Sequence, residues 1–250
     1  MLPAPWLVES LPEVDSTNSE LMRRARAGQT RPTLLSAQHQ SAGRGRLGRQ
    51  WHGQPGDSLM FSMGLELNPL SWSGLSLAVG LSLAQSLDPS HSLGLGLKWP
   101  NDLWLGPLAQ ARKLGGILIE TLMVEGAAKA ARYVVIGVGI NINPSQAPGL
   151  SMPSVGWAEI QPGTRPESLL SQLAMPLLEN IQAFERTGFA PLQAAFAQRD
   201  VLRGQALRLS NGVEGVGAGV DAEGVLQIDT DRGRVAVSSD EVSVRLGVAA

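Results

Sequence analysis

The sequence predicts an α/β (α+β) fold, a mixed β-sheet with flanking helices followed by a small β domain. Three observations carry that prediction. Short apolar runs of strand character at 33–38, 58–67, 115–121 and 132–143 alternate with segments of helical spacing at 17–27, 73–87, 167–184 and 191–199. Near residue 200 the helical spacing stops. The β-type runs 205–209, 215–220, 226–229, 234–237 and 242–245 follow it, divided by Asn211-Gly212, Glu223-Gly224 and Arg232-Gly233 turn pairs. Finally, 250 residues of 43% hydrophobic composition suffice for a packed core. We therefore expect a large domain over 1–200 and a small β domain over 201–250.

Taken in order, Ser16-Thr17-Asn18 opens the first helix. Thr17 and Glu20 have capping-box spacing, Leu21, Met22 and Ala25 supply the apolar face, and Gly28 stops the helix. Hydroxyls and free N–H groups at that end either cap the helix or hold a polar ligand group. The strand at 33–38 then feeds Gly43-Arg44-Gly45-Arg46-Leu47-Gly48-Arg49, with Trp51 just beyond. Its three glycines permit positive φ and close approach, and its three arginines present rigid charged forks suited to phosphate or carboxylate oxygens. The residues alone leave an anion-binding loop and a solvated basic turn both open. No Gly-Lys-Ser/Thr closes the loop and no helical run follows it, so it is neither a Walker A loop nor a dinucleotide fingerprint. It spans about twenty residues between strands, a length typical of binding loops and lids.

After the helix at 73–87, the stretch 95–104 reads as strand, turn at Pro100-Asn101-Asp102, and strand. A loop rich in Gly, Pro and Ala then delivers Arg112-Lys113 to an apolar strand whose Gly115 and Gly116 let a ligand come close. In the run 132–143, alternation puts Gly137 and Gly139 on one face; glycine inside a strand is costly unless something must lie against it, and a flat apolar ligand would explain both.

Composition narrows the function classes. With 20 Lys+Arg against 22 Asp+Glu the net charge is -2, which lacks the basic footprint of a dedicated nucleic-acid binder. Aromatic content of 4% offers little base stacking. There are no cysteines, so disulfides and thiolate chemistry are excluded, and the three histidines have no metal-ligand spacing. Residues 1–11 lack a signal-peptide pattern, and the apolar run 75–87 is too short to cross a bilayer. A soluble cytoplasmic protein with no membrane partner is expected.

Read together, Ser16-Thr17-Asn18, the segment from Gln40 to Trp51, Lys98-Trp-Pro-Asn-Asp-Leu103, Arg112-Lys-Leu-Gly-Gly-Ile-Leu-Ile-Glu120 and Gly137-Val-Gly-Ile-Asn-Ile-Asn143 resemble the biotin protein ligases. The resemblance is strong over about 14–145 and extends in outline to the C-terminal β domain. It implies a class II synthetase-like catalytic domain shared with lipoate ligases, an SH3-like β-barrel, and a two-step reaction. Biotin and Mg-ATP give biotinyl-AMP and pyrophosphate, and a lysine of a biotin carboxyl carrier protein then attacks the mixed anhydride. By position, Ser16, Thr17, Asn18, Gln40, Gly43, Arg44, Lys113, Gly137 and Gly139 match biotin-binding positions. Arg44, Arg46, Arg49, Trp51, Asn101, Lys113 and Asn141 match positions around ATP or the adenylate. Lys113, Arg46 and Asp102 match catalytic positions, with Asp102 either orienting the target amine or serving only as a turn residue. Metal ligands are left open.

Two departures from the family pattern stand out: Gln38 replaces a commonly acidic residue, and the loop 106–111 is longer than the usual hairpin. Catalytic motifs begin at Asp15, which leaves no room for the DNA-binding domain that many relatives carry, so no sequence-specific DNA binding is expected. Family members occur as monomers and dimers, and a strand edge such as the one after Lys98 allows a homodimer. A lipoate or octanoate ligase of the same fold is the alternative enzyme, and a nucleic-acid-binding module the alternative of another class.

Overall fold

A computed structural model describes residues 2–106, 110–123, 131–145 and 153–237, with the backbone of 244–246. Its elements are β1 (Leu7–Val14), α1 (Thr17–Arg26), β2 (Thr33–Gln40), β3 (Ser58–Leu67), α2 (Leu75–Leu87), β4 (Leu95–Lys98), β5 (Asp102–Leu105), β6 (Arg112–Met123), β7 (Arg132–Asn141), α3 (Pro166–Thr187), α4 (Gln193–Ala197), β8 (Ala206–Leu209), β9 (Glu214–Val220), β10 (Leu226–Thr230), β11 (Gly233–Val237) and β12 (Val244–Leu246). They form two compact units, one of residues 1–68 with 111–179 and one of 69–110 with 180–250.

In the first unit the strands run in the order β1-β2-β3-β7-β6. β1 lies parallel to β2, and the other pairs are antiparallel. The register aligns Gly139, Met60 and Gly116 in one cross-strand row, Gly137, Ser62 and Leu118 in the next, and Val135, Gly64 and Glu120 in a third. Helix α1 covers this face through Leu21, Met22 and Ala25, packed with Leu35, Tyr133 and Val135. Gly64 is required there, since a Cβ on it would stand 2.2 Å from the Tyr133 hydroxyl. Burial pushes that hydroxyl's pKa up to about 12.

Two expectations are corrected. The N-cap of α1 is Ser16, whose hydroxyl accepts from the Ser19 N–H at 3.4 Å, so Thr17 and Glu20 form no capping box. Glu20 instead pairs with Arg23 and Arg24, which hold its carboxyl below the usual range. Strand β1 went unforeseen because Pro12 and two glutamates blur its alternation. An edge strand tolerates all three, because among the described residues no strand pairs with its outer side.

The second unit holds α2, the β4–β5 hairpin and a five-stranded antiparallel sheet ordered β11-β10-β9-β8-β12, the small β domain expected. α2 is buried on nearly all sides and is preceded by Gly74 at φ 80, where a Cβ would meet Phe189 at 2.6 Å. The segment 199–201 is stitched to β4: Leu97 N–H donates to the Arg199 carbonyl at 2.7 Å and Val201 N–H to the Leu97 carbonyl at 3.1 Å. Arg199, 6% exposed, donates through its guanidinium to the carbonyls of Leu95 and Asp88.

Beside it, Asp200 accepts the Leu202 N–H through Oδ1 at 2.9 Å, while its Oδ2 is shielded from solvent and has no hydrogen-bond partner among the described residues. Burial, only partly offset by that bond and by Arg203, pushes its pKa up to about 6. The folded state therefore binds this proton more tightly than the unfolded one, and stability falls as pH rises from about 4 to about 6. Asp200→Asn keeps the Oδ1 acceptor and abolishes the titration. We expect the variant to match the wild type near pH 4 and to exceed it on the order of 2 kcal/mol at pH 7.5, read by denaturant unfolding at both pH values. Parallel pH dependence in the two proteins would refute this.

Candidate active site

At the floor of the candidate site lie the first residues of α1. Thr17 donates from its N–H to Gln40 Oε1 at 2.7 Å, and its hydroxyl lies 3.0 Å from the same oxygen. Asn18 donates from Nδ2 to the Leu118 carbonyl at 3.2 Å and to Glu120 Oε2 at 3.0 Å. Ser62, fully buried on β3, donates to Asn18 Oδ1 at 2.6 Å and sits 2.7 Å from the Thr17 hydroxyl. Its polarity between Phe61 and Met63 was the available signal, and sequence reasoning passed over it.

Gly137 makes this packing possible, because a Cβ there would stand 2.1 Å from Asn18 Oδ1. Gly137→Ala must displace the amide and break the polar network, at a cost of about 1–3 kcal/mol. We expect a lower Tm and weaker ligand binding together; an unchanged Tm with full binding would contradict the contact.

The Arg/Gly loop is a hairpin, where an irregular stretch was expected. Trp51 N–H donates to the Gly43 carbonyl at 2.9 Å, Gly45 N–H to the Arg49 carbonyl at 2.7 Å, and Arg44 bridges Gln50. The chain reverses in a short 3-10 turn at Arg46–Gly48, with Leu47 at φ 55 and Gly48 at φ 72. Leu47 is 59% exposed at that tip. Gly43 is needed for closure, as a Cβ would lie 2.4 Å from the Trp51 carbonyl oxygen. Arg44 reaches out of the hairpin and forks onto Glu120, with Nη2 2.9 Å from Oε1 and Nη1 3.2 Å from Oε2. Arg46 and Arg49 stand at the ends of the turn, joined by the Arg49 N–H donating to the Arg46 carbonyl at 3.2 Å.

Lys113 is placed by its backbone. It donates to the Pro153 carbonyl and receives the Val155 N–H, both at 3.0 Å, and Asn141 Nδ2 donates to its carbonyl at 3.2 Å. Arg112 clasps Glu159 at 2.8 and 3.2 Å from the same crossing segment, and this pairing lowers the Glu159 pKa. Lys113 Nζ stands 5.9 Å from the centre of the Trp51 ring, within cation–π range. That ring lies on Gly139, where a Cβ would come within 2.6 Å of it, and its buried Nε1–H has no hydrogen-bond partner among the described residues. Lysine, indole and bare strand thus come together from three distant segments. The face expected to take a flat ligand carries the protein's own indole over Gly139 and the Asn18 amide over Gly137.

Asn101 and Asp102 lie in the second unit, in the β4–β5 turn, with Asp102 paired to Lys98 in register. Lys98 Nζ stands 5.4 Å over the Trp104 ring, and Trp99 Nε1 donates to the Gly224 carbonyl at 3.1 Å. Of the long loop at 106–111, Gly106 has φ 100, while 107–109 lie outside the described residues. Among the described residues no group of three or more His, Cys, Asp or Glu is arranged to hold a metal, and no helix is long and apolar enough to cross a membrane.

Residues 11–141 match the family model of the biotin/lipoate A/B protein ligase family. The chain belongs to that family. It is 33% identical over 232 residues to the bifunctional ligase/repressor BirA of Escherichia coli, covering 90% of this chain and 70% of that protein. It is 31% identical over 247 residues to the biotin--[acetyl-CoA-carboxylase] ligase of Mycobacterium tuberculosis, covering 92% and 86%. The biotin protein ligase of Aquifex aeolicus, solved in complex with biotin and ATP, superposes with a TM-score of 0.76 at 27% identity over 96% of this chain and 99% of that one. In this family member, the hairpin from Gly43 to Trp51, the start of α1 and the Lys113 strand end occupy one unit.

Proposed function

We propose that this site activates biotin with ATP and passes it to a lysine of a biotin carboxyl carrier protein, the acceptor domain of acetyl-CoA carboxylase or a related carboxylase. The chain is an ATP-dependent biotin protein ligase, and its relatives favour biotin over the lipoate or octanoate alternative. The observation that carries the mechanism is the meeting of Lys113, Trp51 and Gly139 beside the arginine hairpin.

In the first step a biotin carboxylate oxygen bonds to the α-phosphorus of ATP and the bond to the β-phosphate oxygen breaks, releasing pyrophosphate. Both reactants are anions, so fixed cations must offset their charge as they meet. Lys113 serves the carboxylate and α-phosphate; Arg46 and Arg49 line the adenylate from the hairpin, and Arg44 holds its root. Thr17 and Asn18, with Ser16 capping their helix and Gln40 and Gly43 setting the hairpin's entry, orient biotin, while Gly137 and Gly139 make room for the Asn18 amide and the Trp51 indole that face it. Trp51 flanks adenine, and Asn141 supports Lys113 from behind. In the second step the acceptor amine attacks the acyl carbon, AMP leaves with the bond pair, and a proton departs from the nitrogen; by their match to family positions, Asp102 is assigned to orienting that amine and Asn101 to the adenylate. Mg2+ fits as an ion carried by the triphosphate, since it keeps several waters and needs few carboxylates.

The functional division is placed at residue 200 because every assigned residue precedes it, with 201–250 as the SH3-like β domain. We place the enzyme in the cytoplasm with its acceptor, and a net charge of -2 supports no sequence-specific DNA partner. The test is incubation with ATP, biotin and a purified carrier domain. One biotinyl group on one lysine, seen by intact mass and requiring all components, is expected; modification with lipoate but not biotin would overturn the substrate.

A further inference from the structure

Glu120 touches both the arginine hairpin and the start of α1, and the two-step reaction gives it no role. Its Oε1 takes Arg44 Nη2 at 2.9 Å, while Oε2 takes Arg44 Nη1 at 3.2 Å and Asn18 Nδ2 at 3.0 Å. Arg44 Nη1 also lies 3.3 Å from the Ser19 hydroxyl. Through Asn18 the carboxylate is linked to Ser62 and to the Gly137 strand. We infer that Glu120 is a positioning residue for the acid substrate: it locks the Arg44 guanidinium and the Asn18 amide into one orientation before biotin arrives.

The chemistry supports pre-organisation over stability. The Arg44 and Glu120 side chains are 47% and 22% exposed, and ion pairs so open to solvent add little to folding. Yet the bidentate fork fixes the direction of the remaining guanidinium N–H donors, and ordering a flexible arginine beforehand spares that entropy on binding. Glu120 also decides the flip of the Asn18 amide. With Nδ2 committed to the carboxylate and the Leu118 carbonyl, Oδ1 is left for Ser62 over Gly137. The largest effect falls on the acid substrate, because Lys113 and Trp51 are held by contacts that do not involve Glu120.

This inference rests on the biotin-ligase reading, and one set of assays separates the two. With the full chain, biotin- and ATP-dependent pyrophosphate release is measured for the wild type, E120A, E120Q, R44A and the double variant R44A/E120A. E120A is expected to raise the biotin KM about tenfold while leaving the ATP KM and the kcat at saturating biotin within twofold. E120Q, which keeps an acceptor for Asn18 but no charge for Arg44, is expected to raise it about threefold and serves as the variant of record if E120A does not fold. In the R44A background E120A should add less than twofold. A wild-type biotin KM in E120A and E120Q, equal shifts in both KM values, or an undiminished effect without Arg44 would overturn the positioning role. Absence of biotin-dependent release in the wild type would overturn the ligase reading itself.

Discussion

Lys113→Ala is expected to slow formation of the adenylate by about 10²- to 10³-fold, the usual loss when one fixed donor to a developing anion is removed. The ammonium stands 5.9 Å from the centre of the Trp51 ring, on a strand end pinned by Pro153, Val155 and Asn141, and the proposed reaction uses it to offset the charge of carboxylate and α-phosphate. Because those pins are backbone hydrogen bonds or reach the Lys113 carbonyl, truncating the side chain leaves the strand end in place. The loss should then appear in single-turnover pyrophosphate release with the Tm unchanged. A wild-type rate for that step would remove Lys113 from the chemistry.

Arg46→Gly acts on the intermediate's lifetime. Arg46 opens the 3-10 turn at the tip of the hairpin, and glycine there loses the charge while freeing a backbone already bent through Leu47 and Gly48 at positive φ. A loosened tip exposes the acyl-adenylate to solvent and to stray amines. We expect adenylate retention on the enzyme to fall at least tenfold and biotin to appear on lysines of an added bystander protein, detected by mass spectrometry. Retention equal to wild type with no bystander labelling would refute the guarding role. The two variants separate making the adenylate from holding it.

The fold was legible wherever a strand had a buried face with few exceptions. β3 was read with its exact bounds because nine of its ten residues are buried and Leu59, Met60, Phe61, Met63, Leu65 and Leu67 give it a dense apolar pattern. β1 was not legible: at an edge, exposure lets Glu9, Pro12 and Glu13 interrupt the pattern at no cost to the sheet. Capping shifted by one residue because Thr17 found a stronger partner in Gln40, 23 positions away, which no local rule contains. The same limit applies at the site. Gly137 and Gly139 announced a close approach, but what approaches, the Asn18 amide and the Trp51 indole, depends on sheet register and hairpin closure. Glu120 ended the Arg112–Glu120 motif without a role because its partners come from the hairpin and from α1.

Activation of biotin by this constellation is read from pyrophosphate release from ATP. With purified protein and no acceptor, release that requires biotin and is not supported by lipoate is the predicted result. Release with lipoate alone, or with neither acid, would contradict it.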